Sequence, residues 1–171
     1  MLFRTCLCGV FLSLLACSGT SGVANSPACG IADVDRGRWE KARTGTLVRE
    51  LPAGLKEIPV LSVDSNVRGW GAPERGRIEY DYGRYSSAYA GGDGDSYVTR
   101  CTMDVDGWQV EVVRFVRANQ GPSFHAYWLD SKVRATKGET NRPTLMMYGF
   151  APDSVTRDDL LAVLPTVRRL R

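Results

Sequence analysis

The groups in this chain that chemistry could use are one histidine, a pair of cysteines, and tyrosines beside a glycine–aspartate run. The single histidine, His125, stands between Phe124 and Ala126 in an alternating stretch. No Ser-His-Asp or Cys-His spacing surrounds it, so its setting points to a structural or surface role. Zinc needs paired ligand spacing, which Cys29 and Cys101 with one histidine do not supply. Gly91-Gly92-Asp93-Gly94-Asp95-Ser96 alternates glycine and carboxylate as cation loops do, yet it lacks a carboxylate at Ser96 and is not repeated. Asp104-Val105-Asp106-Gly107 starts like a twelve-residue calcium loop and then loses the spacing. No nucleophile elbow, phosphate loop or dinucleotide fingerprint occurs. The expectation is therefore no catalytic residue, no metal and no cofactor. Tyr80, Tyr82, Tyr85, Tyr89 and Tyr97 remain, either as a binding platform or as the amphipathic skin of a sheet. The stretch from Gly83 to Ser96 is the candidate binding loop, with Arg84, Tyr85, Tyr89, Asp93 and Asp95 as its recognition groups, since long connections are where recognition concentrates.

The elements that must position these groups begin with a hairpin from Tyr97 to Arg117. Two alternating segments joined by Asp106-Gly107 predict a type I′ turn. That turn sets Val105 opposite Trp108, Met103 opposite Val110, Cys101 opposite Val112, Thr99 opposite Arg114 and Tyr97 opposite Val116. One face is then apolar near the turn. The other carries Asp104 with Gln109 and Thr102 with Glu111, and turns apolar again at Val98 and Phe115, which predicts cover on both faces at the far end. Further strands are expected over Thr46–Leu51, ending at Pro52-Ala53-Gly54, and over Ile58–Val63, ending in the polar turn Asp64-Ser65-Asn66. Arg77–Tyr82 places Ile78, Tyr80 and Tyr82 on one face, Ser123–Leu129 does the same for Phe124, Ala126 and Trp128, and Thr144–Phe150 reads as a strand buried on at least one face. Asp33–Arg43, with charges around Trp39, reads as a short helical turn or an irregular lead-in. A closing helix is expected with Thr156 as N-cap, a Val155–Leu160 staple, Asp158-Asp159 in the first turn, and a stop at Pro165.

The chain has 171 residues, 43% hydrophobic and 24% charged, which suits one globular domain with a proper core. Residues 1–16 stand apart, with one cation at Arg4 and an apolar run from Leu7 to Ala16 that is too short to cross a bilayer and fits a signal peptide. Leu14-Leu15-Ala16-Cys17 resembles the lipobox of bacterial lipoproteins. The resemblance implies a diacylglyceryl group on Cys17, cleavage before it, and acylation of the new amino terminus by a palmitate-type chain. Several acyl chains anchor stably where one does not. The alternative is an ordinary secretory signal cut elsewhere. Ser18 is not the Asp that inner-membrane retention uses, which implies the outer membrane, facing the periplasm, where the organism has one. Residues 17–32 then form a lipidated, flexible tether and 33–171 a single domain.

Removing residues 1–16 takes Arg4 from the 22 basic side chains against 19 acidic, leaving a formal +2. That charge, together with secretion, argues against nucleic acid as a partner. Cys6 and Cys8 leave with the signal and Cys17 takes lipid, so Cys29 and Cys101 form an even pair in an oxidising compartment. They form either a bridge that staples the N-terminal arm to the sheet, or a buried free Cys101 with an unattached Cys29.

The order Leu51-Pro52-x-Gly54, Val63-Asp64-Ser65, Glu79-Tyr80-Asp81-Tyr82-Gly83-x-Tyr85-Ser86, Val105-Asp106-Gly107 and a closing helix before Val167-Arg168 resembles a set of uncharacterised bacterial secreted proteins and lipoproteins with a PsbP/Mog1-like architecture. The resemblance spans roughly 46–170 and implies an antiparallel sheet packed against helices, with no catalytic residues to carry over. The fold class expected is thus α+β, a mostly antiparallel sheet of about six to seven strands with a C-terminal helix on one face. The function expected is a non-catalytic envelope lipoprotein that meets the membrane through its anchor and binds a protein, glycan or lipid partner. Two alternatives stand beside it. One is an inhibitor of a secreted hydrolase, since Gly83-Arg84-Tyr85 is similar to a loop of periplasmic lysozyme-inhibitor lipoproteins. The other is an enzyme whose site carries no recognisable motif.

Overall fold

The computed structural model describes residues 27–44, 47–61, 66–82, 91–129 and 143–169. Cys17 and the anchor segment lie outside these residues, as do Arg84, Tyr85 and Tyr89. In chain order the strands are β1 (Glu40–Thr44), β2 (Leu47–Leu51), β3 (Lys56–Ile58), β4 (Asn66–Ala72), β5 (Gly76–Tyr82), β6 (Asp95–Val105), β7 (Trp108–Arg117), β8 (Gly121–Leu129) and β9 (Pro143–Phe150). They are followed by helix α1 (Ser154–Leu161), a 3-10 turn (Leu164–Thr166) and β10 (Arg168–Arg169). Seven strands make one sheet in the order β3-β4-β5-β9-β8-β7-β6, and β1-β2-β10 make a small second sheet. Every pairing between strands is antiparallel. The fold is α+β, as the alternation patterns led us to expect.

The hairpin β6–β7 is the longest pairing, and its turn has positive φ at both Asp106 (56°) and Gly107 (78°), as a type I′ turn requires. The register runs from Val105↔Trp108 to Thr99↔Arg114 as the turn dictates, and then shifts. Ser96, not Tyr97, meets Val116, so Tyr97 and Val98 together oppose Phe115 as a β-bulge. The physical reason is local: Tyr97 adopts φ 52°, which turns its ring out to 84% exposure and leaves Val98 47% exposed. The expected cover at the far end therefore holds for Phe115, which is fully buried, and fails for Val98.

Alternation then builds a core on one face of the main sheet. Ile78, Tyr80, Val110, Val112, Phe124, Ala126, Trp128, Leu145 and Met147 join Leu47 and Leu51 of the small sheet and Leu160, Leu161 and Leu164 in one buried cluster. Each fully buried large side chain of this kind stabilises the fold by about 1.5–3 kcal/mol relative to exposure. The small sheet and α1 therefore cover a single face.

Three further expectations are corrected. Asp33–Arg43 is neither helical nor wholly irregular, because β1 starts at Glu40 and pairs along β2. The expected strand Ile58–Val63 is the short edge strand Lys56–Ile58. Leu61 is 98% exposed, and Val63, Asp64 and Ser65 lie outside the described residues. Asn66 opens a full strand instead of closing a turn. That strand was hidden by Gly69 and Gly71, yet a Cβ on Gly69 would stand 2.6 Å from the Val60 side chain, which crosses directly over it. Finally, α1 is capped by Asp153, whose Oδ1 accepts from the Thr156 amide at 2.7 Å. Thr156 is thus inside the helix, Val155 is 74% exposed and staples nothing, and Asp158-Asp159 fall beyond the first turn. The α-helix ends earlier than the expected stop, at Leu161 with Ala162 as C-cap, and Pro165 lies within the 3-10 turn that follows.

Candidate functional site

The opposite face of the main sheet carries the chemistry that sequence reasoning passed over. Strand alternation sends His125 and Tyr127 of β8, Val113, Phe115 and Arg117 of β7, and Met146, Tyr148 and Phe150 of β9 to this side. The register sets Tyr148 and Val113 directly beside His125. Val113, Phe115, Tyr127 and Met146 form a second buried cluster with Tyr148 packed against it. The imidazole of His125 meets the rings of Phe115 and Tyr148 edge-on, each at 5.1 Å. Its Nδ1 is 3.1 Å from the Tyr127 hydroxyl. Burial, reinforced by the Arg117 cation and opposed by Asp95, pulls His125 down to about 4, so the ring is neutral at neutral pH. Burial pushes the Tyr148 phenol well above its ordinary value, with Asp81 and Glu79 adding to the effect. Asp81 is a strand neighbour of Met146 on this face, and its Oδ1 is buried with no hydrogen-bond partner.

Beside this cluster lies an ion pair. Arg117 donates to both oxygens of Asp95, at 2.9 and 3.1 Å, and the Asp95 side chain is only 3% exposed. The guanidinium also lies 5.0 Å from the Phe115 ring centroid. Of the recognition groups expected in the 83–96 loop, Asp95 is thus committed to Arg117, whereas Asp93 is exposed at the turn. Arg84, Tyr85 and Tyr89 lie outside the described residues. Among the other tyrosines, Tyr80 is buried, Tyr82 is half-buried and Tyr97 alone is strongly exposed, so these three do not form one platform.

The same face opens at one end into a groove of about 490 Å³, lined by Ile58, Ala72, Pro73, Arg77, Phe150 and Pro152. Arg77 lies 4.4 Å above the Phe150 ring and holds Glu79 at 3.1 Å. Its apolar walls with one guanidinium and the Gln120 amide suit a partner that brings an apolar surface and a hydrogen-bond acceptor. By contrast, the slot between the two sheets, walled by Trp108, Trp128 and Tyr82, holds about 20 Å³, room for about one water.

Two other features organise the core side. Cys29 and Cys101 are joined in a disulfide, and the arm around Cys29 is also bonded to the outer edge of β6. The Cys29 amide donates to the Thr102 carbonyl, and the Thr102 amide to the Pro27 carbonyl, each at 2.9 Å. Residues from Pro27 onward, expected in the tether, are thus built into the fold. Between the sheets, Arg49 is 97% buried (3% exposed). Its guanidinium lies 4.0 Å from the Trp70 ring and 4.6 Å from Tyr80 and donates to Thr44 Oγ1 at 3.1 Å, while its Nε has no partner. Burial lowers it to about 10, so it remains a cation held by aromatic faces. The alternation of Leu47, Arg49 and Leu51 in β2 was a readable sign of its inward position.

Among the described residues no group of three or more histidine, cysteine, aspartate or glutamate side chains could hold a metal ion, and no helix is long and apolar enough to cross a membrane. No family model, no curated protein and no solved structure matches this chain.

Proposed function

We propose that the chain is a cell-envelope lipoprotein, anchored through acylated Cys17, whose domain is a non-catalytic binding module for a protein or glycan partner. The observation that carries the reading is the Cys29–Cys101 disulfide. Such bridges persist in oxidising compartments, and this one sits just downstream of Leu14-Leu15-Ala16-Cys17, where a lipoprotein leaves the cytoplasm. The PsbP/Mog1-like resemblance belongs to the same reading, in the periplasm-facing outer membrane where the organism has one. The groove beside Phe150 is its binding site, because its volume of about 490 Å³ admits a partner's side chains, unlike the slot of about 20 Å³ between the sheets, and it presents apolar walls with few polar groups.

Two linked measurements test this. The Cys17→Ser variant should move from the membrane to the soluble envelope fraction. Native-envelope capture by the lipidated protein, scored by cross-linking mass spectrometry, should place the partner on Phe150 and Arg77. Retention of the variant on membranes overturns the anchor. Cross-links confined to other surfaces overturn the groove.

A further inference from the structure

The outward face of the small sheet is basic. Directly opposed residues in antiparallel strands share a face, and the register places Arg43 and Arg168 on either side of Val48, with Lys41 beside Glu50. The inward residues of β2 are Leu47, Arg49 and Leu51, all buried, so Val48 and Glu50 point outward. Lys41, Arg43 and Arg168 are exposed. Arg168 is fixed at the surface by donating Nη1 to the Pro165 and Val167 carbonyls at 2.7 and 2.8 Å. Among the described residues, three cations thus share this face with one carboxylate, in a mature chain whose formal charge is only +2.

The chain leading to the anchor enters on the same side. Cys29, Ile31 and Trp39 pack against the core cluster that the small sheet covers, and Arg114 donates to the Gly30 carbonyl at 3.1 Å. Pro27, where the described chain begins, is bonded to the β6 edge, ten residues after Cys17. A tether this short keeps the domain close to the lipid surface.

Resting on the lipid-anchor reading, we infer that the outer face of the small sheet is the seat of the domain on an anionic bilayer surface, with Lys41, Arg43 and Arg168 facing the lipid headgroups. Each cation near an anionic leaflet is attracted within about a Debye length. Three are too few to hold a protein alone, so the acyl chains supply affinity and this face supplies orientation. With the small sheet down, the opposite face of the main sheet and its groove point away from the membrane, toward a partner.

Lysine reactivity reads the orientation without altering the protein. Lys41 lies on the proposed seat, whereas Lys56, also exposed, pairs with Gly71 on the opposite face. The lipidated full chain is placed on phosphatidylglycerol/phosphatidylethanolamine vesicles or on phosphatidylcholine vesicles, treated with a membrane-impermeant acylating reagent, and read by peptide mass spectrometry. Lys41 should lose reactivity relative to Lys56 on the anionic vesicles and not on the neutral ones, and molar salt should abolish the difference. The Arg43→Glu, Arg168→Glu pair should abolish it too while still sedimenting with vesicles. If the reversed pair does not fold, Arg43→Gln, Arg168→Gln should reduce it. Equal Lys41 reactivity on the two vesicle types, with the protein vesicle-bound, overturns this inference and leaves the anchor standing. A wild-type chain that does not sediment with either vesicle overturns the anchor and this inference together.

Discussion

Acidification should destabilise this domain through His125. In the folded chain the imidazole sits among Phe115, Tyr127 and Tyr148 and is held at about 4, chiefly by burial and secondarily by Arg117. Unfolded, it returns to about 6.5. The unfolded chain therefore takes up the proton first, so stability from this site is intact above pH 6.5 and falls as pH drops from 6.5 toward 4. At about 1.4 kcal/mol per pH unit the loss is about 2 kcal/mol by pH 5 and about 3 kcal/mol by pH 4, with partial exposure of the ring trimming both figures. The carboxylates of Asp95, Asp81 and Glu79 share this face, so the informative quantity is a difference. Urea unfolding of wild type and His125→Phe, followed by tryptophan fluorescence between pH 7.5 and 4, isolates the histidine because the two proteins differ at that one side chain. The wild type should lose about 2–3 kcal/mol more than the variant over that range. Parallel pH profiles, or a variant that loses more than the wild type, would refute the buried, neutral histidine.

The remaining outcomes test other parts of the fold. The Cys29→Ala, Cys101→Ala double variant should lose about 4 kcal/mol in urea unfolding, because the bridge closes a long loop across a sequence separation of 72. An unchanged midpoint would mean that the arm's hydrogen bonds alone hold it. Arg49→Ala leaves a void between Trp70 and Tyr80 and should cost about 2–5 kcal/mol, whereas Arg49→Met fills the space without a buried cation and should be neutral or stabilising. Equal losses in both variants would show that the charge itself is required. Gly76→Ala, at φ +68° with its new Cβ against the Phe150 carbonyl, should destabilise by at least about 1–2 kcal/mol, read as a lowered thermal midpoint.

The parts of this fold that were legible in the sequence are those where one signal acts alone. Asp106-Gly107 fixes a turn, and strict alternation then assigns faces from Val105 back to Thr99. The same rule placed Ile78 and Tyr80 on β5 and Phe124, Ala126 and Trp128 on β8 in the core. Legibility failed where two effects compete. In β4 the need for Val60 and Ile58 to cross overhead selects glycine, which reads as a turn. At Tyr97 a single left-handed residue adds a bulge that no alternation pattern announces. Asp153 captured the cap of α1 because its carboxylate reaches the Thr156 amide, leaving Thr156 to the helix. The His125 face was missed for a different reason. Phe115 was expected to be covered, but only the strand order, with β9 inserted between β5 and β8, brings it together with Tyr148 and His125. The disulfide was legible from cysteine counting, because Cys29 and Cys101 remain as an even pair once Cys6, Cys8 and Cys17 are set aside.

The most direct test of the account is the intact mass and amino-terminal identity of the mature protein extracted from membranes without reductant. The account requires a chain that starts at Cys17, carries thioether-linked diacylglycerol and an amide-linked acyl chain, and keeps Cys29 and Cys101 in one cross-linked peptide. A mature chain that starts elsewhere, or an unmodified Cys17, would contradict it.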